Sequence, residues 1–372
     1  MATFVFKQFR GLHDPRAKSG RRHLLSDMIV LAICGVICGS NGWTDIAEFA
    51  EAKQAWFETF LELPHGIPSH DTFGRVFAML KPAGFERCFR RWVKGLAKSS
   101  KGKLLAVDGK TLRRSFDQAA GKAAIHMISA FASANRMVFG QIKTAAKSNE
   151  ITASPKLLAL LDIKGAVVTI DAMGCQRAIA QAIIEGQGDY VLAVKENQPT
   201  LHAKVKTLLD EAVAQKFKGL SGDCFSQTNK GHGRIETRSC WSTGEVHHLR
   251  GIGHWKGLQS VAVVESRRSV GGKVQRESRY YISSLDGEDA QSMAEAVRGH
   301  WGVENPLHWI LDVHFSEDQS RVRKGYGPEN LSRLRRIALN KLQAETSSKR
   351  SIRAKRLLAG WSHDYLLQIL QM

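Results

Sequence analysis

Carboxylates are scarce in this chain. It carries 35 Asp and Glu against 54 Lys and Arg, a formal net charge of +19 and a pI near 9.8. An imbalance of that size favours a polyanionic partner, nucleic acid before any other. Long hydrophobic runs are missing too. The most apolar stretch begins at Met28 and stays charge-free to Thr44, but Ser40, Asn41 and Thr44 interrupt its second half. It is too short and too polar to cross a bilayer and reads as a buried helix. No apolar segment follows a basic one in Met1–Arg10, so no secretory leader is expected. The six cysteines (34, 38, 88, 175, 224 and 240) contain no CxxC pair. That argues against a zinc ribbon or a disulfide frame and for core thiols in a reducing cytosol. There is no internal repeat and no low-complexity tract. What remains is an ordinary globular composition, 43% hydrophobic and 24% charged, with 372 residues to build two or three domains.

The texture changes along the chain. Residues 1–100 read as helical, with an apolar helix over Leu24–Cys38, an amphipathic one over Asp45–Leu61 and a third over Ser69–Leu80. Arg87–Lys103 follows with seven basic residues, no acidic ones, and Phe89 and Trp92 interleaved. From Leu104 short apolar runs alternate with helical patterns: a strand ending at Val107, a hairpin over Ile125–Ser133 and Arg136–Lys143, a helix over Pro155–Leu161, a strand over Ala166–Ile170, a helix over Arg177–Glu185, and a strand over Tyr190–Val194. This predicts a mixed α/β sheet with helices on its faces. A helix over 200–216 leads into a β-rich stretch, about 220–288, with strands at Arg234–Trp241, Ser260–Glu265 and Arg279–Ser283. The chain then reads as helical to its end.

Two of the short strands end in an acid. Asp108 follows Leu-Leu-Ala-Val and Asp171 follows Val-Val-Thr-Ile. Sites in open α/β sheets form at strand carboxyl ends, although a strand-end Asp often does no more than cap the next turn. A third acid can be sought in Arg298–Asp312, where His300, Glu304, His308 and Asp312 recur every four residues; Pro306 leaves their helical register open. Three carboxylates on one frame can hold two Mg2+ ions, and two such ions suit phosphoryl transfer. With a basic surface, the pattern points to metal-dependent cutting or transesterification of nucleic acid.

At these residues the chain resembles a known family. Leu-Ala-Val-Asp108-Gly-Lys, Val-Thr-Ile-Asp171-Ala-Met-Gly-Cys-Gln and His-Trp-Gly-Val-Glu304-Asn-Pro-Leu-His-Trp are similar to the bacterial insertion-sequence transposases of the DDE group, H-repeat-associated branch. Tyr190-Val-Leu-Ala-Val-Lys-Glu-Asn-Gln-Pro, His232-Gly-Arg-Ile-Glu-Thr-Arg and Leu339-Asn-Lys-Leu support the likeness. His13-Asp-Pro-Arg and His70-Asp-Thr-Phe-Gly-Arg resemble the group's associated N-terminal domain. The resemblance implies an RNase H-like catalytic domain over 101–345 with a β-rich insertion. Before it stands a helical DNA-binding region over 1–100, and after it a basic helical tail over 346–372. It implies Asp108, Asp171 and Glu304 as catalytic, metal-binding residues, with two Mg2+ ions that Mn2+ can replace. It further implies cutting at terminal inverted repeats, joining to target DNA, a dimer on DNA, and a cytoplasmic place at the nucleoid. Related branches carry Tyr, Arg and Lys around the Glu, where this chain has Val297, His300 and Leu311. Asp312 and Glu317 therefore stay open as alternative third acids, and His300 as a stand-in phosphate contact.

Several basic residues are candidates for DNA contact. Lys110, Arg113 and Arg114 follow the first acid, and Lys195 follows a strand as the acids do. His232, Arg234 and Arg238 alternate along one strand face. Residues 319–356 hold twelve Lys or Arg and two Glu, Arg321, Arg323 and Lys324 first among them; this density predicts backbone binding without sequence readout. Trp301 and Trp309 could stack on an extruded base, although tryptophans on an apolar helix usually enter the core. The rival readings are a repurposed RNase H-like nuclease that cuts without joining, an inactive DNA-binding regulator, and a transition-metal hydrolase built on the histidines of 298–312.

Overall fold

Both acid-bearing strands form, and they pair. The computed structural model describes residues 7–96, 104–118, 121–144, 150–231, 233–271 and 273–372. The chain divides into two units, one drawn from Met1–Ser99, Gly109–Lys147 and Glu304–Met372, the other from Ser100–Asp108 and Ser148–Val303.

In the first unit, α1 (Leu25–Cys38) is the apolar helix that its sequence predicts, buried from Met28 to Ile37 and closed by Gly39 at φ 125°. The expected single helix over Asp45–Leu61 is instead two, α2 (Trp43–Ala52) and α3 (Gln54–Phe57), broken at Lys53. Phe49, Trp56, Phe57 and Phe60 pack around the break with ring centroids 4.9–6.0 Å apart, a tertiary reason that no helical periodicity contains. Ser69 caps α4 (His70–Met79) by accepting from the Thr72 amide at 3.3 Å. α5 (Pro82–Leu96) buries Phe89 and Trp92 and leaves Arg87, Arg91 and Lys94 exposed; the rest of that basic run, 97–103, lies outside the described residues. β1 (Leu104–Thr111) ends in this unit beside the hairpin of β2 (His126–Ala132) and β3 (Met137–Thr144).

The centre of this unit is a helix rich in charge, α11 (Gly327–Ala344), buried from Gly327 to Leu342. Its polar side chains are satisfied internally, as burial demands. Arg333 pairs with Glu86 at 2.6 Å and Arg336 with Glu317 at 2.7 Å. Asn340 bonds both the amide and the carbonyl of Val138, at 2.9 and 2.8 Å. α12 (Ile352–Trp361) adds Lys355 and Arg356, buried and bonded to Leu342 O and Val36 O. α13 (His363–Gln371) closes the chain. The basic density of 319–356 therefore needs correction as a DNA-binding surface. Arg333, Arg335, Arg336, Lys341, Lys355 and Arg356 are all buried. Charge density in a sequence carries no sign of which face it occupies.

In the second unit the first half of β1 runs parallel to β4 (Val167–Ile170), and β4 runs parallel to β5 (Asp189–Val194). β9 (Lys273–Ser283), β8 (Ser260–Val270), β7 (Arg234–Thr243) and β6 (Asp223–Gly231) continue antiparallel. Through the shared β1 the strand order is β3-β2-β1-β4-β5-β9-β8-β7-β6. β6 is a strand that its residues do not advertise, because polar Ser, Gln, Thr and Asn follow one another on an exposed strand without an apolar face. α6 (Glu150–Leu158) begins five residues ahead of the expected Pro155, which it contains. α7 (Arg177–Glu185) matches the expected helix, and α8 (Pro199–Ala214) buries Leu201, Val205 and Leu209. α9 (Ala290–Trp301) lays Ala290, Met293, Ala296 and Val297 onto Val191, Val264 and Tyr281 of the sheet, at the i, i+3, i+7 spacing of an apolar helical stripe.

The cysteines are free, and Cys34, Cys88, Cys175 and Cys240 are buried as expected of core thiols. Among the described residues no single helix is long and apolar enough to cross a membrane.

Candidate active site

Val107 lies opposite Ile170 in the parallel β1–β4 ladder. The next residue along each segment is the acid, so Asp108 and Asp171 stand at the same level where the parallel ladder ends; Asp171 follows β4, whereas β1 does not stop at Val107 as expected but runs on through Asp108 to Thr111. Adjacent strands are about 4.8 Å apart. Both side chains are half-buried. Asp171 also caps the short turn Ala172–Gly174, its Oδ1 accepting from the Gly174 amide at 3.3 Å. Gly174 is required there, because a Cβ would lie 2.1 Å from Ile170 Cγ2. The loop after β5 holds the same turn from the other side. Asn197 Nδ2 donates to Ala172 O at 2.6 Å and Gln198 Nε2 to Cys175 O at 3.0 Å. Sequence reasoning missed these two amides as site residues, and the Glu-Asn-Gln-Pro stretch was their only signal.

A cavity of about 210 Å³ opens beside Asp171, walled by Lys195, His202, Arg279, His300 and Trp301. His300 Nδ1 lies 3.1 Å from Thr169 Oγ1. Burial lowers the imidazole's pKa, and the Asp171 carboxylate opposes that only in part. A neutral, inward-facing His300 lacks the permanent charge of the arginine for which it was to substitute. Trp301 is not core: it is 42% exposed, with the Arg279 guanidinium 4.1 Å from its ring. Trp309 is 52% exposed as well.

Helix α9 ends at Trp301, and Glu304 opens a single π-helical turn, Glu304–Trp309, that accommodates Pro306. The register that Pro306 left open is therefore not that of one continuous helix carrying His300, Glu304, His308 and Asp312: a new turn begins at Glu304, with Pro306 near its start. Glu304 is exposed. Glu317 is closed to solvent, with both oxygens facing Arg336 at 2.7 and 3.5 Å. Asp312, carried by the short helix α10 (Ile310–Val313), is held by Lys110 at 2.6 Å. Burial drops the His308 pKa to about 4, with Arg336 and Lys110 adding to the effect, so it is uncharged at neutral pH. Among the described residues, the group whose metal-ligating atoms lie within 4.8 Å of one another is Glu245, His247 and His248, on the turn after β7.

Lys110 also needs correction as a DNA contact. It is 9% exposed and pairs with Asp312 and Asp318 at 2.6 and 2.9 Å, so its charge is already met. Arg113 is exposed and pairs with Asp318 at 3.2 Å. Arg114 and Lys195 are exposed, as are Arg234, Arg321 and Lys324. Arg238 pairs with Glu236 at 2.7 Å. Arg323 is half-buried, its Nε donating to Arg114 O at 3.2 Å. His232 lies outside the described residues.

Two acids level at the end of a parallel ladder in a mixed nine-stranded sheet, in a chain of net charge +19, suit the class of enzymes that cut nucleic acid. Comparison with known families matches residues 99–341 to the transposase DDE domain and residues 6–93 to the DDE_Tnp_1-associated domain. The chain belongs to the DDE transposase family. It is 41% identical over 355 residues to the "H repeat-associated putative transposase YhhI" of Escherichia coli K12, covering 94% of this chain and 92% of that one. It is 39% identical over 368 residues to the "Putative transposase YncI" of Escherichia coli O157:H7, covering 96% and 92%. Among solved structures, a piggyBac transposase synaptic complex with hairpin DNA shows a weak overall likeness, with a TM-score of 0.44 at 11% identity, covering 100% of this chain and 81% of that one.

Proposed function

We propose that this transposase serves an insertion sequence: it binds terminal inverted repeats, cuts the DNA strand there and joins the freed 3′ end to target DNA. The observation that carries the reading is the Val107–Ile170 register, which levels Asp108 with Asp171. Glu304 is assigned as the third acid. Three peptide units separate it from Trp301, so its Cα lies within about 11 Å of that cavity residue. Of the alternatives, Glu317 is sealed against Arg336 and Asp312 is paired with Lys110. The β-rich stretch between Asp171 and Glu304 is consistent with an RNase H-like core carrying an insertion.

The donor set fits a hard divalent cation. It is all carboxylate oxygen, half-buried or exposed, with room for water and phosphate oxygens to complete a shell. Asp108, Asp171 and Glu304 would hold the ions. Two Mg2+ ions, or Mn2+ in their place, supply Lewis-acid stabilisation of phosphoryl transfer when bound. The protein's own part is positional. The end of the β1–β4 ladder holds two carboxylates level, and Asn197 and Gln198 brace the turn that Asp171 caps. Lys195 offers a cation at the rim of the cavity. The helical residues 1–100 and the exposed Arg113, Arg114, Arg234, Arg321 and Lys324 are assigned to DNA, as is a dimer that holds two ends together in the cytoplasm.

The test is a Mg2+-dependent cutting and joining assay on DNA bearing the element's inverted repeats, wild type beside Asp171→Asn. Cutting and joining by wild type alone supports the reading. Cutting without joining replaces it with a nuclease, binding without cutting replaces it with a regulator, and equal activity in both proteins removes Asp171 from the site.

A further inference from the structure

A second cleft lies within the first unit. It has a volume of about 520 Å³ and runs between the heads of α2 and α4 on one side and the loop 316–324 on the other. Its walls carry Arg75 from α4 and Arg321, Arg323 and Lys324 from the loop. The one carboxylate on the wall, Asp71, sits 3.6 Å from His70. Among the described residues no acid comes within 4 Å of any of the four cations. Several buried or loop cations of the same unit are neutralised within the chain. Lys110, Arg113, Arg333, Arg336 and Lys355 each have a carboxylate at 2.6–3.2 Å. Four cations against one carboxylate leave the wall with a positive balance, and an anion in the cleft relieves the repulsion among them.

The loop is fastened before any ligand arrives. At its start Glu317 is locked to Arg336 and Asp318 to Lys110. At its end the Tyr326 amide bonds Ala78 O at 2.9 Å, while Gly325, at φ 54°, approaches so closely that a Cβ would lie 2.4 Å from that oxygen. Arg323 is held by Arg114 O and lies 4.8 Å over the Phe116 ring. Charges held this way lose little entropy on binding. Two ten-residue helices begin at the cleft, which places the positive ends of two dipoles at its wall. Arg75, Arg321 and Lys324 stand exposed on the rim, which suits a polymer passing through better than a small anion enclosed.

We propose that this cleft seats a DNA backbone, with Arg75 on one side and Arg321, Arg323 and Lys324 on the other contacting successive phosphates. The proposal rests on the transposase reading for its choice of polymer. It joins the N-terminal helices and the post-catalytic loop into one phosphate track. Through the Lys110–Asp318 pair that track is tied to β1, two residues past Asp108.

The experiment uses the full chain carrying Asp171→Asn, so that binding is read without cutting. A fluorescent duplex is titrated across a salt series, with thermal unfolding of each protein confirming that it folds. The expected result is a salt slope shallower by about 2 in Arg321→Ala/Lys324→Ala and by about 1 in Arg75→Ala, close to 0.9 for each phosphate no longer neutralised. Unchanged slopes in both variants overturn the cleft and leave the transposase reading intact. Absence of any salt-dependent DNA binding by the parent protein takes down the transposase reading as well. Unchanged slopes together with protection from heat by tripolyphosphate, abolished in the variants, mark a small-anion site and overturn the DNA assignment.

Discussion

Arg336 and Glu317 meet at 2.7 Å inside the first unit, and neither side chain reaches solvent. Burial alone would raise the Glu317 pKa, but Arg336 and Arg335 outweigh it and hold the carboxyl below its ordinary range. Arg336→Met leaves Glu317 charged, buried and alone, and is expected to destabilise the fold by about 3–5 kcal/mol in urea unfolding. Arg336→Met/Glu317→Leu removes both charges and is expected to recover most of that loss. A double variant no more stable than the single one would show that the pair contributes more than mutual neutralisation.

Asp171→Asn and Glu304→Gln keep the shape of each side chain and remove its charge. Each is expected to lower Mg2+-dependent cutting by more than about 100-fold, beyond the range typical for groups that only brace a metal ligand. Melting temperatures should move little, because both carboxylates are solvent-accessible. Full activity in Glu304→Gln would reopen Asp312 as the third acid.

Asn197 and Gln198 brace the Asp171 turn without being assigned to substrate. Asn197→Ala is expected to reduce cutting by about 10–100-fold, and a raised Mg2+ requirement would separate loss of positioning from loss of folding. Gly174→Ala forces a Cβ into Ile170 and is expected to destabilise the protein by about 1–3 kcal/mol as well. A variant with normal stability and activity would disprove the tight turn.

Lys341 is fully buried on α11, its ammonium donating to Leu370 O at 3.0 Å and lying 5.2 Å from the Trp92 ring. Burial lowers its pKa from 10.5 to about 7. Below pH 7 the lysine is charged in both folded and unfolded chains, and the burial penalty is present in full. Between about 7 and 10.5 the unfolded chain keeps the proton that the folded one sheds, so stability rises with pH by up to about 1.4 kcal/mol per unit. Lys341→Met is expected to flatten this rise and to gain most at pH 7. Unfolding midpoints at pH 7 and 9.5, compared with wild type, read the difference directly.

Much of the candidate site was legible in the sequence for a simple reason. A buried parallel strand is a short apolar run, and a hydrophilic residue at its end is conspicuous. Leu-Leu-Ala-Val-Asp108 and Val-Val-Thr-Ile-Asp171 announce themselves that way, and the strand ladder puts them side by side. Arg177–Glu185 was equally plain from its helical spacing. Exposed β6 lacked an apolar face to betray it, and Lys53 broke a helix because aromatic rings pack around the break. Asn197 and Gln198 act through backbone carbonyls more than twenty residues away, which no local pattern records.

The amino-acid sequence by itself determined the strand-end acids, the excess of basic charge and the family, because each is a property of composition or of a few consecutive residues. Only the tertiary structure decided where that charge goes. Arg333, Arg336 and Lys110 turn inward to acids of their own chain, while Arg75, Arg321 and Lys324 stay open around a cleft. A charge becomes structural or ligand-binding according to which long-range neighbour reaches it, and those neighbours meet only when the chain folds.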